Sequence, residues 1–204
     1  MRDTDPTLFL GINDFARTTG WLHPIATGYA NYGIGLFAML LLTGWWLARR
    51  NSDRAVIAAA AWAPIAALAA VALNQPIAAA VDEPRPYEVW PNVLVLVHRG
   101  ADPSFPSDHA VMAGAAAAAL LLVHRRLGAV AAVAATVMAA DRVYVGAHYP
   151  RDVLAGLALG AAIAVVGYLL IRPILTRLLD YLTRTRLRPL LSSDHGVDSE
   201  SMIG

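Results

Sequence analysis

Five long apolar stretches run along the chain, at residues 26–48, 55–81, 107–123, 128–146 and 152–171. Each approaches the roughly 20 residues that an α-helix needs to cross about 30 Å of hydrocarbon. Of the 204 residues, 57% are hydrophobic and 15% are charged, which leaves more apolar surface than a soluble domain of this size buries. The pattern predicts an all-α integral membrane bundle with five transmembrane helices, whose termini lie on opposite sides of the membrane.

The segments that flank the bundle differ from it in character. Residues 1–25 place Leu8, Phe9, Ile12 and Phe15 at helical spacing with polar residues between them, which predicts an N-terminal interfacial helix rather than a sixth crossing. The aspartates among these residues argue against a cleaved signal peptide. Residues 26–188 form the predicted membrane domain, and the Ser-, Asp- and Gly-rich residues 189–204 predict a disordered tail.

The charged residues indicate both the orientation and the excluded partners. All 16 basic residues are arginine, and a net charge of +1 provides no basic field of the kind that nucleic-acid binding needs. Because positive residues in short loops stay on the cytoplasmic side, the side that carries ten of these arginines is predicted to be cytoplasmic, together with the tail. The chain has no cysteine, so disulfides and thiolate chemistry are excluded.

Three short motifs lie next to the ends of the apolar stretches. They are Glu83-Pro84-Arg85-Pro86, Phe105-Pro106-Ser107-Asp108-His109 and Arg142-x5-His148-x3-Asp152. In the five-helix threading, the end of the second stretch, the start of the third, the end of the fourth and the start of the fifth meet at the outward membrane face. We therefore expect the three motifs to form one site on that face.

The residue types in these motifs suit phosphate chemistry. Ser107 lies where a helix is expected to begin, and a helix start offers unpaired N–H groups to an anion, with His109 in the first turn. Asp152 lies close enough to His148 to accept a hydrogen bond from one ring nitrogen, which would make the other nitrogen the stronger nucleophile. Arg85 and Arg142 supply planar forks that match phosphate oxygens, and this chemistry requires no metal.

Each of these residues also has a simpler interpretation. A histidine or arginine at the end of a membrane helix is often an interfacial anchor. Ser107 alone would be an N-cap, Asp152 a favourable charge at a helix start, and Arg85 a partner of Asp82 or Glu83. The Gly156-x3-Gly160 pair and the alanine runs predict helix-packing surfaces, and Asn74 with Gln75 predicts interhelical hydrogen bonds.

Taken together, the motifs resemble the signature of the type 2 phosphatidic acid phosphatase superfamily, which reads Lys-x6-Arg-Pro, then Pro-Ser-Gly-His, then Ser-Arg-x5-His-x3-Asp. The resemblance covers about residues 74–165, and the residues of the motifs are most similar to those of the bacitracin-resistance branch of undecaprenyl-diphosphate phosphatases. It implies a catalytic set of His148 as the nucleophile, His109 as the general acid and base, and Asp152 as the group that orients the nucleophile. It also implies that Arg85, Ser107 and Arg142 bind the phosphate oxygens.

The resemblance further implies a multi-pass enzyme of the bacterial inner membrane, with its active site on the outer side. The expected reaction hydrolyses undecaprenyl diphosphate to undecaprenyl phosphate and inorganic phosphate without a cofactor, in contact with membrane lipids. Other lipid phosphates remain alternatives, namely phosphatidate, diacylglycerol diphosphate, phosphatidylglycerol phosphate and a prenyl-phosphosugar phosphate. A non-catalytic transporter is a third possibility, and the sequence leaves the oligomeric state open.

Three positions depart from the superfamily pattern. The lysine position is Ala78, so one expected cation is absent, and Arg99 or Arg151 is hypothesised to replace its charge. Asp108 stands where the pattern has glycine, as in the bacitracin-resistance branch, and Asp141 stands where it has serine. We place neither aspartate in the catalytic set; Asp141 could instead pair with an arginine, and it need not touch the substrate.

Overall fold

The computed structural model describes residues 4–50 and 53–182, and within them the chain is helical, with no strand. A short 3₁₀ turn, Gly20–Leu22, joins the first two helices. The α-helices are α1 (Thr4–Thr18), α2 (His23–Ala48), α3 (Arg54–Val81), α4 (Pro86–Val89), α5 (Asp108–Val123), α6 (Arg125–Tyr144) and α7 (Pro150–Leu182). The all-α class is therefore confirmed, and the predicted tail at residues 189–204 lies outside the described residues.

The predicted apolar stretches correspond to α2, α3, α5, α6 and α7. Their boundaries agree to within three residues, except that α7 continues to Leu182. Within the described part of the chain, four helices are long and apolar enough to cross a membrane, whereas α5 is apolar but has only 16 residues. Because α5 packs against α2, α3, α6 and α7, it is the central helix of the bundle.

Small residues allow the helices to approach α5 closely. Alanines on α3 and α5 are almost fully buried, including Ala66, Ala70, Ala115 and Ala119. On α7, a Cβ added at Gly160 would overlap the carbonyl oxygen of Val111 on α5 and would lie 2.8 Å from the backbone nitrogen of Ala115. The predicted packing role of the alanine runs and the glycine pair is thus confirmed.

The N-terminal segment forms a separate amphipathic helix, as its spacing predicts. On α1 the side chains of Phe9 and Asn13 are buried, whereas Leu8 and Phe15 are exposed. The Asn13 amide exchanges two hydrogen bonds with the backbone of Leu94, at 2.8 and 2.9 Å. This contact fastens α1 to the loop that follows α4, and the position of α1 at a membrane interface stays a prediction.

The close approach of α5 and α7 makes Gly160 intolerant of any side chain. We expect Gly160→Ala to lower the free energy of unfolding by about 1–3 kcal/mol, because the added methyl group forces the two helices apart. Gly35→Ala on α2 is the matched control, since a Cβ there meets nothing within 4 Å. Thermal unfolding of the two purified variants in detergent measures the difference, and equal midpoints would contradict the packing described.

Candidate active site

The three sequence motifs converge on a cavity of about 190 Å³ at one end of the bundle. Arg85, His109, Arg142 and His148 line it, so the structure brings together four of the six residues predicted for the site. The other lining residues are Gln75, Ala78, His98, Gly100, Asp102, Pro103, Pro106 and Asp108. Ser107 and Asp152, the remaining two, are fully buried beside the cavity.

A tight turn after α6 positions His148. Gly146 has a φ of +80°, a left-handed conformation that suits glycine, and a Cβ there would overlap the carbonyl oxygen of Leu94. The backbone N–H groups of Ala147 and His148 then donate to the carbonyl oxygen of Arg142, at 3.1 and 3.3 Å. The turn therefore ties the His148 backbone to the last turn of α6, directly at the residue that provides Arg142.

The hydrogen bonds of the His148 ring define its tautomer. Its Nδ1 lies 2.8 Å from the carbonyl oxygen of Ser104, which only accepts, so Nδ1 carries the proton. The Nη1 group of Arg85 lies 3.2 Å from Nε2 and donates to its lone pair. Burial, together with the nearby Arg85 and Arg142, lowers the pKa of His148 well below 6.5. The ring is thus neutral at physiological pH, and Nε2 is the nitrogen that carries the lone pair.

Asp152 does not bond directly to the ring of His148, which differs from the sequence expectation. Its Oδ2 lies 3.7 Å from Nδ1, beyond hydrogen-bond distance. Oδ2 instead accepts hydrogen bonds from the Ser104 hydroxyl at 2.6 Å and from the Tyr149 N–H at 2.9 Å. The expected bond is missing because the carbonyl oxygen of Ser104 already accepts the Nδ1 proton.

The guanidinium of Arg85 is held by protein groups. Its Nε and Nη2 donate to the carbonyl oxygen and the carboxylate of Asp102, at 2.9 and 2.5 Å, and Nη1 also donates to the carbonyl oxygen of Ala147 at 3.1 Å. The alternative partners considered from the sequence, Asp82 and Glu83, do not pair with it. Although burial raises the pKa of Asp102, Arg85 holds it below its ordinary value, so Asp102 is a carboxylate.

Arg142 contrasts with Arg85, because it retains an unused donor. The residue is 7% exposed, and its buried Nε has no hydrogen-bond partner among the described residues. The buried hydroxyl of Ser107, at the start of α5, is likewise unpartnered there. Buried polar groups are usually satisfied, so two unpartnered donors next to one polar cavity suit phosphate oxygens, which only accept hydrogen bonds.

The first turn of α5 forms another wall of the cavity. His109 is half-buried, lines the cavity and lies two residues after Ser107. The Asp108 carboxylate accepts hydrogen bonds from Asn74 at 2.7 Å and from Gln75 at 3.0 Å. The interhelical role predicted for these two amides is therefore confirmed. The two amides occupy the Asp108 carboxylate, and α5 also presents the His109 ring to the cavity.

The structure does not support either proposed substitute for the absent lysine. Arg99 lies over the ring of Tyr87, 5.5 Å from its centroid. Arg151 pairs with Asp5 at 3.3 Å and with Glu83, outside the cavity. Neither guanidinium lines the cavity, whose wall includes Ala78. The expected pairing of Asp141 is also absent from the described residues, since its buried Oδ2 has no partner there.

Sequence reasoning missed two residues that contact this machinery, Ser104 and Asp102. They lie in the long loop before α5, and no spacing rule links them to Arg85 or His148. The available signal was adjacency, because both come within three residues of the Phe105-Pro106-Ser107 motif. Their contacts are made across 17 and 44 residues of chain, which only the folded loop brings together.

Comparisons with known proteins show the family to which the chain belongs. The family model described as the PAP2 superfamily matches residues 59–175. The chain is 31% identical to the undecaprenyl-diphosphatase BcrC of Bacillus subtilis over 165 residues, which are 81% of each protein. It is 34% identical to the decaprenylphosphoryl-5-phosphoribose phosphatase of Mycobacterium tuberculosis over 145 residues, 69% of this chain and 76% of that one.

A solved structure shares the fold. The crystal structure of a transmembrane PAP2-type phosphatidylglycerolphosphate phosphatase from Bacillus subtilis superimposes with a TM-score of 0.59 and covers 90% of both chains. The sequences are only 20% identical, so this likeness concerns the arrangement of the helices.

The lowered pKa of His148 leads to a direct spectroscopic prediction. Since burial and two arginines disfavour the imidazolium, the ring stays neutral with its proton on Nδ1 as the pH falls through 6.5, and it protonates only well below that value. Nitrogen-15 NMR of histidine-labelled protein in detergent reports this state, with His148→Gln identifying the signal. A His148 titration midpoint at or above 6.5 would contradict the burial and charge arrangement described.

Proposed function

Because this chain belongs to the PAP2 superfamily and is a membrane lipid phosphatase, we propose that its substrate is undecaprenyl diphosphate. The proposed products are inorganic phosphate and undecaprenyl phosphate, which returns to use as a carrier for peptidoglycan synthesis. Removing the diphosphate form would also give resistance to bacitracin, in keeping with the similarity to BcrC. The match to the PAP2 family model confirms the family membership that the three motifs predicted.

One observation carries the chemical part of the proposal. A neutral imidazole nitrogen, Nε2 of His148, lies in a polar cavity beside Arg142, whose buried Nε has no partner among the described residues. A nucleophile needs an unprotonated electron pair, which Nε2 has once Nη1 of Arg85 turns to a phosphate oxygen, and a transferring phosphoryl group needs fixed cations around its oxygens. The cavity provides both at one place.

The proposed reaction has two steps. Nε2 of His148 attacks the terminal phosphorus, the bond to the bridging oxygen breaks, and His109 donates a proton to the departing undecaprenyl phosphate. His109 then accepts a proton from water as that water attacks the phosphohistidine, which releases inorganic phosphate and restores the neutral ring. Nη1 of Arg85 contacts Nε2, so it lies within reach of an oxygen on the attacked phosphorus.

These steps require no metal ion, so activity should be independent of divalent cations. Arg85, Ser107 and Arg142 are proposed to hold the phosphate oxygens, with Arg142 the principal ligand because Arg85 already donates to Asp102, Ala147 and His148. The uncapped start of α5 adds backbone N–H groups and the positive end of a helix dipole.

A second substrate class is favoured by a specific observation. The similarity to a decaprenylphosphoryl-5-phosphoribose phosphatase extends over 69% of the chain, so a prenyl-phosphosugar phosphate is the alternative substrate. We prefer the diphosphate because the BcrC similarity covers more of both chains. Either substrate combines a terminal phosphate with a prenyl chain, and the phosphate cavity alone does not separate them.

An activity assay on the purified protein tests the proposal. In detergent with a chelator present, we expect phosphate release from undecaprenyl diphosphate to exceed release from phosphatidate, phosphatidylglycerol phosphate and a prenyl-phosphosugar phosphate. We expect His148→Gln to abolish release and acid quenching to trap a phosphohistidine in the unaltered protein. His124→Gln, at the opposite end of the bundle, is the matched control.

The outcomes of this assay separate the parts of the proposal. Release that survives His148→Gln would refute the mechanism, and loss of release with chelator would refute metal independence. A preference for the phosphosugar substrate would leave the mechanism standing and replace the substrate.

Localisation is proposed from the arginine distribution. Of the twelve arginines within residues 4–50 and 53–182, seven lie toward the end of the bundle opposite the cavity, which should be the cytoplasmic side of the bacterial plasma membrane. Because the chain has no cysteine, single-cysteine variants give an unambiguous test. We expect Arg99→Cys to react with an impermeant maleimide in intact cells and Arg126→Cys to react only after lysis. The reverse pattern would invert the proposed orientation.

A further inference from the structure

Every polar group of Ser104 makes a hydrogen bond, and its partners are Glu83, Asp152 and His148. Its N–H donates to the carbonyl oxygen of Glu83 at 2.8 Å, and its hydroxyl donates to Oδ2 of Asp152 at 2.6 Å. Its carbonyl oxygen accepts the Nδ1 proton of His148 at 2.8 Å. The residue is fully buried, so no water competes for these bonds. Ser104 therefore connects the end of α3, the start of α7 and the nucleophilic ring.

The geometry of Asp152 shows which residue its carboxylate acts on. Oδ2 accepts from Ser104 and Tyr149, while the buried Oδ1 makes no hydrogen bond among the described residues and lies 3.8 Å from Nε of Arg151. The His148 ring lies 3.7 Å from Oδ2, beyond hydrogen-bond distance. Burying a carboxylate is unfavourable unless it makes compensating hydrogen bonds, and here the side-chain bond that it accepts is the one from Ser104.

We infer that Ser104 is the positioning residue through which Asp152 orients His148. Asp152 holds the Ser104 hydroxyl, the hydroxyl fixes the orientation of the residue, and the carbonyl oxygen then holds the Nδ1 proton. This sequence of contacts keeps Nε2 unprotonated and aimed at the cavity. The inference rests on the proposed function, because it takes His148 as the nucleophile.

The variant Asp152→Asn distinguishes this indirect arrangement from a direct hydrogen bond between Asp152 and the His148 ring. The amide oxygen of Asp152→Asn can accept the same two hydrogen bonds as Oδ2, and its NH2 group takes the place of Oδ1, which makes no hydrogen bond among the described residues and has only the longer contact of 3.8 Å with Arg151. The carbonyl oxygen of Ser104 would still hold the Nδ1 proton, so the tautomer would not change. If the carboxylate instead held the ring directly, the same substitution would favour the wrong tautomer and lower kcat by about 10⁴-fold.

The test combines Ser104→Ala and Asp152→Asn in one cycle of single and double variants. We expect Ser104→Ala to lower kcat by about 10²-fold, because a small displacement of the nucleophile has effects of that size, with KM changed less than about threefold. We expect Asp152→Asn to lower kcat by less than about tenfold. The double variant should resemble Ser104→Ala, because residues that act through one contact are not additive.

Two further variants test whether the loss of kcat in Ser104→Ala has a merely structural cause. Ser104→Thr keeps the hydroxyl and should recover at least part of the kcat that Ser104→Ala loses. Tyr168→Phe removes a buried hydrogen bond of 2.7 Å to the carbonyl oxygen of Ala55 at the other end of the bundle, and it should leave kcat unchanged. Thermal midpoints of all variants in detergent show whether a loss of activity follows a loss of folding.

Each outcome decides the inference. Full kcat in Ser104→Ala, multiplied losses in the double variant, or a loss near 10⁴-fold in Asp152→Asn would each overturn it. If Ser104→Ala does not fold, Asp152→Asn alone decides, since the nitrogen-15 signal of His148 must keep its Nδ1 proton. Activity that survives His148→Gln would overturn the proposed function itself, whereas a dependence on His148 without a dependence on Ser104 would overturn only this inference.

Discussion

The close packing of α5 against α7 is the contact on which the site depends. At the cavity end of this contact the Ser107 N–H donates to the carbonyl oxygen of Asp152 at 3.2 Å, so the starts of the two helices are joined directly. Small residues make this possible, because Gly156 and Gly160 leave no side chain between the helices. If α5 and α7 were farther apart, His109 and Ser107 would lie farther from His148. The glycine pair is therefore as important for chemistry as for packing.

The two arginines of the cavity make different contributions because they have different partners. Arg85 is tied to Asp102, Ala147 and His148, so it organises the loop before α5 and lies beside the nucleophile. Arg142 keeps its buried Nε unpartnered in the described structure. Arg85 is fixed and Arg142 is available, and both lie near the neutral imidazole of His148. An anion can therefore bind while the contacts of Arg85 with Asp102 and Ala147 stay in place. Such preorganisation is the usual source of stabilisation for a transferring phosphoryl group.

Most of the fold was predictable, because apolar length and helical spacing are local properties of a chain. The five apolar stretches match five helices, and α1 is amphipathic, with Phe9 and Asn13 buried and Leu8 and Phe15 exposed. The prediction was less accurate where partners are distant. Arg85 pairs with Asp102 instead of a neighbouring acid, and Arg151 pairs with Asp5 and Glu83 outside the cavity. Side-chain pairing across a loop depends on the path of the loop, which has no local signature.

The sequence by itself determined the helical membrane architecture and the convergence of Arg85, His109, Arg142 and His148, because helix ends in a bundle of alternating crossings share one face. Only the tertiary structure decided which atom holds each side chain. The Nδ1 proton of His148 goes to the carbonyl oxygen of Ser104, and Asp152 binds the hydroxyl of the same residue. A backbone carbonyl oxygen is present at every residue and leaves no mark in a motif. Which carbonyl oxygen accepts the proton depends on differences of a few tenths of an ångström between donor–acceptor distances, and packing alone sets these distances.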